Sequence, residues 1–384
     1  MSNLTLPTTN QPSAPDVTGS TAEKGHVAAL DGLRFFAFLG VYFFHSTQFF
    51  LNGAYFLAEH GVHAFFVLSG FLIGGILLRM RDENAVSMKD KLKTFYIRRS
   101  LRIFPVYYLV MIITTWASQL PLVVHGHHPL HGLHPRELEG WDWFYLSNIK
   151  EYLLQDYPNS ESHLWSLAVE EQFYLLAPFA LLLFSTRKLS WAFVGIWIAT
   201  IVVRYHQNEF TSLLPTMQFG CLTLGIAAAI IQKEGNFLGI NAKTFKRIGW
   251  VCFLIAIPAN FEFWHTIPAM KMAEAFGSIP FCAAAAAFIL MLWNGGGGVV
   301  NRVLSARPIA YLGRISYGLY IYHLFILDTI RFGIPYMRNH QILALSVALG
   351  ITLVVSMLSW HFFEKPINDL KRFFPYPKPT SEAV

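Results

Sequence analysis

The chain has 384 residues, of which 54% are hydrophobic and 14% are charged, and its mean hydropathy is +0.41. Soluble domains carry about 25% charged residues, so this composition excludes an ordinary soluble protein. The formal net charge of +6 is less informative about the fold than the distribution of the charged residues along the chain. No motif indicates nucleic-acid binding. We therefore expect an all-α, polytopic bundle of membrane-spanning helices.

Three regions follow from the distribution of apolar residues. Residues 1–27 are polar and rich in Thr, Ser and Pro, without the basic start and apolar core of a signal peptide, and are predicted to be a disordered cytoplasmic tail. Residues 28–365 contain repeated apolar runs of about 20 residues, which leave no room for a separate soluble domain. Residues 366–384 are predicted to be a cytoplasmic C-terminal tail.

Ten apolar runs are candidate membrane spans. With the N-terminus inside, 22 of the 29 Lys and Arg residues fall in inner segments and six in outer segments. The positive-inside rule predicts this asymmetry for an even number of spans with both termini cytoplasmic. The predicted spans are residues 28–51, 60–80, 103–124, 164–185, 189–205, 213–232, 246–263, 273–293, 309–329 and 341–363.

The first span, LDGLRFFAFLGVYFFH, carries Arg34 and His45 in an otherwise apolar run. Eleven residues separate them, about three helical turns, so both side chains lie near one face, roughly 16 Å apart along the axis. Ionisable groups inside a span cost about 2.5 kcal/mol or more and usually face a bundle interior or a water-filled cavity. This helix is therefore the first candidate for a functional site.

The second span has a face of small residues around Gly70, which lets helix backbones approach closely, and Ser69 can present a hydroxyl to a cavity. Arg98, Arg99 and Arg102 follow in FYIRRSLRIFPVYY, at the predicted start of the third span. These arginines either set topology and contact anionic lipid, or recognise a phosphorylated cytoplasmic cosubstrate. The second interpretation rests on the guanidinium fork, which binds phosphate oxygens bidentately.

The fourth span begins with HLWSLAVEEQFYLLAP. Glu170 and Glu171 point about 100° apart on a helix, so they do not share one role easily. At least one should face the interior and pair with Arg or His, because a lone buried carboxylate is very costly. A structural ion pair and a catalytic carboxylate both remain open. Trp165 and Ser166, one turn earlier, are candidate substrate-binding residues.

The ninth span, YLGRISYGLYIYHLFIL, carries a polar stripe. Tyr317, Tyr320 and His323 are spaced at i, i+3 and i+6 and lie along one helix face. His323 lies near the outer end of this span. It either contributes to the functional site or simply lies at the membrane interface. In the last span, His361 and Glu364 are predicted to end the helix at the inner interface.

Other reactive residues favour structural interpretations. Cys221, Cys252 and Cys282 each stand alone in an apolar run and are predicted to be buried packing residues without a disulfide framework. The histidine-rich outer segment 125–134 lacks accompanying acidic or Cys ligands and could equally be solvated, so no metal site is assigned. Farther on, WDWFYLSNIKEYLL at residues 141–154 is predicted to be an amphipathic interfacial helix.

Five segments, in order, resemble the acyltransferase family 3 of membrane proteins. They are LDGLRFFAFLGVYFFH, GVHAFFVLSGFL, YIRRSLRIFPVYY, HLWSLAVEEQFY and ISYGLYIYH. The resemblance implies a ten-span enzyme that transfers acyl groups, commonly acetyl, from acyl-CoA to carbohydrates and other hydroxylated acceptors. It implies that His45 is the catalytic histidine, with Arg34 as its partner, and that Arg99 and Arg102 are the family's paired arginines.

Two features depart from the family's pattern. Many members carry an acidic residue where this chain has His63, which changes the local proton network. Some members carry a hydrolase-like domain after the last span, whereas this chain ends soon after His361. We therefore expect the standalone membrane form.

The prediction is a multi-pass O-acyltransferase of the bacterial cytoplasmic membrane. It would take acetyl from acetyl-CoA, a cosubstrate rather than a bound cofactor, and place it on a carbohydrate or lipid-linked sugar, with a surface or exopolysaccharide sugar preferred. Polysaccharide-synthesis proteins and the lipid bilayer are expected partners. The predicted catalytic residues are His45, Glu170 and Glu171, and the predicted binding residues are Arg34, Ser69, Arg98, Arg99, Arg102, Trp165, Ser166, Tyr320 and His323.

Alternatives concern both the chemistry and the class of protein. His45 acts either as general base in a direct transfer or as the carrier of a covalent acyl group. A proton-coupled transporter or exporter would use the same intramembrane His, Arg and Glu side chains. The sequence shows no inverted repeat with paired broken helices, which favours the enzyme.

Overall fold

The structure is a computed structural model that describes residues 27–47, 55–118, 140–155, 162–206, 213–259 and 270–377. The histidine-rich segment 125–134 lies outside these residues. The helices are α1 (Ala28–Thr47), α2 (Tyr55–Asp82), α3 (Met88–Ser118), α4 (Ser147–Leu154), α5 (Leu164–Leu183), α6 (Thr186–His206), α7 (Pro215–Glu234), α8 (Ala242–Ala259), α9 (Met270–Trp293), α10 (Gly298–Leu304), α11 (Arg307–Arg314), α12 (Ser316–Gly333), α13 (Pro335–Asn339), α14 (Gln341–Ser359) and α15 (Lys365–Asp369). Strands β1 (Asn236–Phe237) and β2 (Ile240–Asn241) pair antiparallel between α7 and α8.

The helices support a multi-pass membrane protein, because a helix satisfies its backbone polar groups internally where no water is present. Six stretches of the described residues are long and apolar enough to cross a bilayer, and a bent pair of helices makes a seventh candidate. That pair, Ser278–Trp293 with Gly298–Leu304, turns by 82°. Gly295, Gly297 and Gly298 make the turn with positive φ. Ten spans remain a prediction.

Helices α2 and α7 pack with their backbones in contact. A Cβ atom at Gly70 would overlap the backbone carbonyl of Leu222 on α7, and one at Gly225 would overlap the carbonyl of Val67 on α2. The glycines of the second span therefore serve close helix packing, as the sequence predicted. This contact fixes α2, the helix that carries Ser69, against its neighbour.

Two helix boundaries differ from the sequence prediction. Helix α3 begins at Met88 and continues through Pro105, so Arg98, Arg99 and Arg102 lie within a long helix rather than at its start. The predicted ninth span is divided at Ile315 into α11 and α12. Helix α11 packs closely on α1, where Gly313 meets the backbone of Asp31 with no room for a side chain.

Cys221 and Cys282 are buried, as predicted, but the prediction that the cysteines form no disulfide is wrong. Cys221 on α7 and Cys282 on α9 form a disulfide that crosslinks two helices. Sixty-one residues separate them, so no local spacing could indicate the pairing. Cys252 is a free, half-buried cysteine.

Residues 140–155 form a short 3₁₀ turn (Asp142–Phe144) and, after a break at Tyr145 and Leu146, helix α4, so the single helix predicted over residues 141–154 is confirmed only in its second half. Its polar face is the buried one, whereas Leu153 and Leu154 are exposed. Asp142 and Lys150 form an ion pair, with Nζ 2.7 Å from Oδ2 and both side chains almost fully buried. Burial raises the pKa of the Asp142 carboxyl, and the Lys150 ammonium opposes that shift. Exposed apolar side chains outside a polar interior suit a lipid interface.

We expect Lys150→Met to lower the free energy of unfolding by about 3–5 kcal/mol, because removal of one partner leaves an uncompensated buried charge. The double variant Lys150→Met with Asp142→Asn should recover much of the loss. Thermal unfolding of the detergent-solubilised protein measures both. Equal melting temperatures for wild type and Lys150→Met would contradict the assignment of a buried ion pair.

Candidate functional site

A cavity of about 1130 Å³ lies between α1, α2, α3, α5 and α12. Its lining residues on α2 run from Val62 to Arg79, which corresponds to roughly 25 Å along the helix. Small-molecule pockets usually measure about 300–1,000 Å³, so this cavity suits a larger ligand. We call the end of the bundle where α2 ends and α3 begins the basic end. The charged lining residues are Asp31, Arg34, Arg79, Arg98, Arg99, Arg102, Glu170, Lys233, Arg314 and Glu364.

The cavity carries more positive than negative side chains. Arg34 donates to Asp31, with Nη1 2.5 Å from Oδ1, so the nearest carboxylate is already paired. Neither Arg99 nor Arg102 forms an ion pair among the described residues, and the Arg102 side chain is exposed into the cavity. The guanidinium of Arg99 lies 5.4 Å from the centre of the Tyr174 ring. Two guanidinium groups are therefore available to an anionic ligand.

Arg98 has a different role from its two neighbours. Its Nη1 donates to the backbone carbonyls of Lys371 and Phe374, each at 2.8 Å, and its guanidinium stacks 4.2 Å from the Tyr376 ring centre. The first part of the segment predicted as a C-terminal tail is thus packed on α3, and Tyr376 lines the cavity. Arg98 holds this C-terminal segment against α3. Part of its hydrogen-bonding capacity is therefore used within the protein and is not available to bind a donor.

Glu170 faces the cavity at the centre of a hydrogen-bonded group. Ser69 and Tyr174 both donate to its Oε1, and the Tyr174 hydroxyl also lies 3.2 Å from Ser69 Oγ. Helices α2 and α5 therefore meet through a carboxylate and two hydroxyls. The sequence predicted that Glu170 and Glu171 would have separate environments, and they do. Glu170 accepts hydrogen bonds at the cavity wall.

Glu171 and Trp165 do not line the cavity. Glu171 is half-buried, and its Oε1 has no hydrogen-bond partner among the described residues. Trp165 packs edge-on against Phe66, with ring centres 6.2 Å apart. Trp165 therefore occupies a packing position. Glu171, predicted to be catalytic, does not contact the cavity.

The end of the cavity opposite the basic end is closed by side chains of α2, α5 and α12. Ser166 and Tyr320 line this end, with their hydroxyl oxygens 2.6 Å apart. Tyr320 also donates to the backbone carbonyl of His163 at 3.2 Å, and its ring meets Phe65 edge-on. Tyr317, one turn below, donates to the carbonyl of Ile103 at 3.0 Å. The predicted stripe of Tyr317, Tyr320 and His323 thus runs from the cavity into the protein.

Three histidines lie beyond this wall. The His45 and His323 ring centres are 5.4 Å apart, and those of His323 and His163 are 5.1 Å apart. Neither His45 nor His323 lines the cavity, and His323 is fully buried. His45 is the one member of the three that is only half-buried. The sequence places Arg34 and His45 on one helix, and the structure adds a ring wall between the cavity and His45.

Sequence reasoning missed two residues of this region. His163 opens the HLWSL segment, which indicated function, but Trp165 and Ser166 were selected from it. Glu364 was predicted to end a helix at the interface, and this is wrong. It lies in a π-helical turn (Trp360–Glu364), is 6% exposed, lines the cavity and accepts a hydrogen bond of 2.9 Å from Ser359. His361, in the same turn, is exposed.

One group of side chains among the described residues has the composition of a metal site. A ring nitrogen of His63 and the sulfur atoms of Cys221 and Cys282 lie within 4.8 Å of one another. The two sulfur atoms are joined in a disulfide, so they do not offer the thiolates that bind metal ions. His63 also lies 3.7 Å from the Glu59 carboxylate. We assign no metal to this group.

Comparisons with known proteins identify several relatives of the chain. The chain is 26% identical to the peptidoglycan O-acetyltransferase OatA of Listeria monocytogenes over 371 residues, 90% of this chain and 56% of that protein. It is 27% identical to the putative peptidoglycan O-acetyltransferase YrhL of Bacillus subtilis over 390 residues, 91% of this chain and 56% of that protein. A putative O-acetyltransferase of Staphylococcus aureus strain COL is 25% identical over 360 residues, 89% of this chain and 57% of that protein. No solved structure matches.

The chain spans a little over half the length of these relatives. Residues 27–361 match the family profile described as the acyltransferase domain, Acyl_transf_3. The match covers most of the chain, from Val27 beside the cavity to His361 in the last turn of the bundle. The chain belongs to the acyltransferase family 3.

Proposed function

We propose that the protein is a membrane O-acetyltransferase that moves an acetyl group from cytoplasmic acetyl-CoA to a hydroxyl of a cell-surface carbohydrate. The cavity carries the proposal. It is large, positively charged at the basic end, and contains Arg99 and Arg102, neither of which forms a direct ion pair among the described residues. The phosphates of CoA are the complementary groups, because guanidinium binds phosphate bidentately.

The orientation follows from where the donor is made. The basic end faces the cytoplasm in this proposal, with both termini on that side of a bacterial cytoplasmic membrane, in accord with the excess of Lys and Arg in the inner segments. Residues 28–365 form the transferase domain, and residues 1–27 and 366–384 flank it. CoA would enter with its phosphates at the arginines and its thioester toward Ser166 and Tyr320.

The chemistry uses His45 as general base. The acceptor hydroxyl gives its proton to the imidazole while its oxygen bonds to the acetyl carbon, the C–S bond breaks, and the CoA thiolate takes a proton. His45 lies beyond the wall of Phe65 and Tyr320, so the proposal requires these side chains to move when the donor binds. Neutral imidazole is suited to this proton transfer near neutral pH.

The acceptor class rests on the relatives and on the outward position of His45. Two relatives are named for peptidoglycan. A sugar of peptidoglycan, of an exopolysaccharide or of a lipid-linked precursor presents hydroxyls at the outer side of the membrane, where the His45 end of α1 lies in this orientation. Proteins of polysaccharide synthesis would supply such acceptors.

Membrane vesicles with the basic end outward test the proposal. They receive acetyl-CoA labelled in the acetyl group, and the peptidoglycan, exopolysaccharide and lipid-linked sugar fractions are counted for label that alkali releases. Vesicles from cells without the protein are the control. Label in a glycan fraction that depends on the protein supports an acetyltransferase. Absence of label from all fractions, in vesicles that contain the folded protein, would exclude it and favour a transporter.

A further inference from the structure

Beyond the general base itself, the three-histidine group contains two residues to which the proposed function assigns no role. His163 on the segment before α5 and His323 on α12 are 1% and 0% exposed. Imidazole groups buried this deeply normally have partners for both ring nitrogens. Here each of the two rings has one nitrogen bonded and one nitrogen left over.

The bonded nitrogens determine the tautomers. His163 Nε2 lies 3.1 Å from the backbone carbonyl of Ile321, and His323 Nδ1 lies 2.5 Å from the backbone carbonyl of Tyr320. A carbonyl oxygen only accepts, so these two nitrogens carry the protons of the neutral rings. Both carbonyls belong to α12. One stretch of backbone therefore locks the tautomers of two histidines.

The remaining nitrogens are consequently lone-pair acceptors. His163 Nδ1 and His323 Nε2 are buried and have no hydrogen-bond partner among the described residues. The His323 ring lies between the other two, with ring centres 5.4 Å from His45 and 5.1 Å from His163. At these separations the rings are in contact, and a nitrogen that points at its neighbour can hydrogen-bond to it.

We propose that His323, against which the His163 ring packs edge-on, is the positioning residue for His45. This inference rests on the proposed function, in which His45 is the base. His323 Nε2 accepts the N–H of His45, which leaves the other ring nitrogen of His45 unprotonated and directed to the acceptor hydroxyl. When His45 takes the proton of that hydroxyl, the same contact stabilises the imidazolium. A base oriented by a third group is the arrangement of known acyl-transfer triads.

The neighbours of the group hold the His45 and His323 rings side by side. The Phe38 ring meets His323 edge-on at 5.8 Å between ring centres, and Phe38 is fully buried. The Arg331 guanidinium donates to the backbone carbonyl of Ser46 at 2.8 Å, which fixes the end of α1 one residue after His45. The base and its positioning residue are thereby held on two helices that are tied together.

One pair of substitutions tests the inference in the labelled acetyl-CoA assay described above. His323→Gln keeps an acceptor oxygen near the position of Nε2, whereas His323→Leu removes it. We expect His323→Leu to lower kcat about 10–100-fold, the usual loss when an orienting partner is removed, with KM for acetyl-CoA unchanged. His323→Gln should retain most of the activity.

The controls separate failure of this inference from failure of the proposed function. His340→Ala removes an exposed histidine on another segment and should behave as wild type. If wild type labels no glycan, or if His45→Ala labels as well as wild type, the proposed function fails. If His45→Ala is inactive but His323→Leu transfers at the wild-type rate, only the positioning role fails. Equal loss in His323→Gln and His323→Leu, with both proteins folded by gel filtration, would also overturn it; if His323→Leu does not fold, His323→Phe, which keeps a ring but has no acceptor nitrogen, takes its place under the same criterion.

Discussion

Vesicles that contain His45→Ala are expected to transfer acetyl about 10²–10⁴-fold more slowly than wild type, the range that a general base contributes. The KM for acetyl-CoA should change little, because His45 does not line the cavity proposed for the donor. His45→Gln should be equally slow, since an amide cannot take the proton of the acceptor hydroxyl. Initial rates of label transfer at several acetyl-CoA concentrations measure both quantities.

His361→Ala is the matched control for this variant. His361 is an exposed histidine at the opposite end of the bundle, so its removal should leave both kcat and KM unchanged. Full transfer by both His45→Ala and His45→Gln would contradict a role for His45 as base and as acyl carrier. The two roles differ in one further result. Purified protein given labelled acetyl-CoA without acceptor retains label on His45 only if a covalent acyl group forms.

The charged and polar side chains within or beside apolar runs are the part of the site that could be predicted from the sequence. Arg34, Ser69, Glu170, Arg99 and Arg102 all line one cavity in the structure. Their cost within a membrane makes a shared interior position the physical expectation, so the residue types alone point to it. Helical periodicity then places Tyr317 and Tyr320 on one face of their helix.

The remaining features depend on which segments meet in three dimensions. Arg98 contacts Lys371, which follows it by 273 positions, and Cys221 pairs with Cys282 on another helix. Periodicity within one helix carries no information about such partners. Glu364 illustrates the same limit, because the end of an apolar run looks interfacial until the π-helical turn directs the side chain to the cavity. The wall that separates His45 from the cavity likewise comes from α12 packing across α1.

Arg99→Leu and Arg102→Leu are each expected to raise the KM for acetyl-CoA about 10–100-fold, because a hydrogen bond to a charged group contributes about 1.5–3 kcal/mol. The kcat should change much less. Arg→Lys at either position keeps the charge but loses the bidentate fork, so an intermediate KM is expected. Acetyl-dephospho-CoA, which lacks the 3′-phosphate, shows which arginine binds that phosphate. A variant that has lost this arginine should have the same KM for acetyl-CoA and for acetyl-dephospho-CoA.

Ionic strength and a matched arginine complete this test. Screening by salt should raise the wild-type KM and affect the double variant Arg99→Leu with Arg102→Leu less, since the charges that salt screens are gone. Arg302→Leu removes an exposed arginine that does not line the cavity and should leave KM unchanged. If the two arginines only set topology or contact lipid, their loss would reduce the amount of correctly inserted protein while the protein that remains keeps the wild-type KM. The KM of the correctly inserted protein therefore distinguishes the two interpretations: a raised KM indicates that the arginines bind the donor, and a wild-type KM indicates that they only set topology or contact lipid.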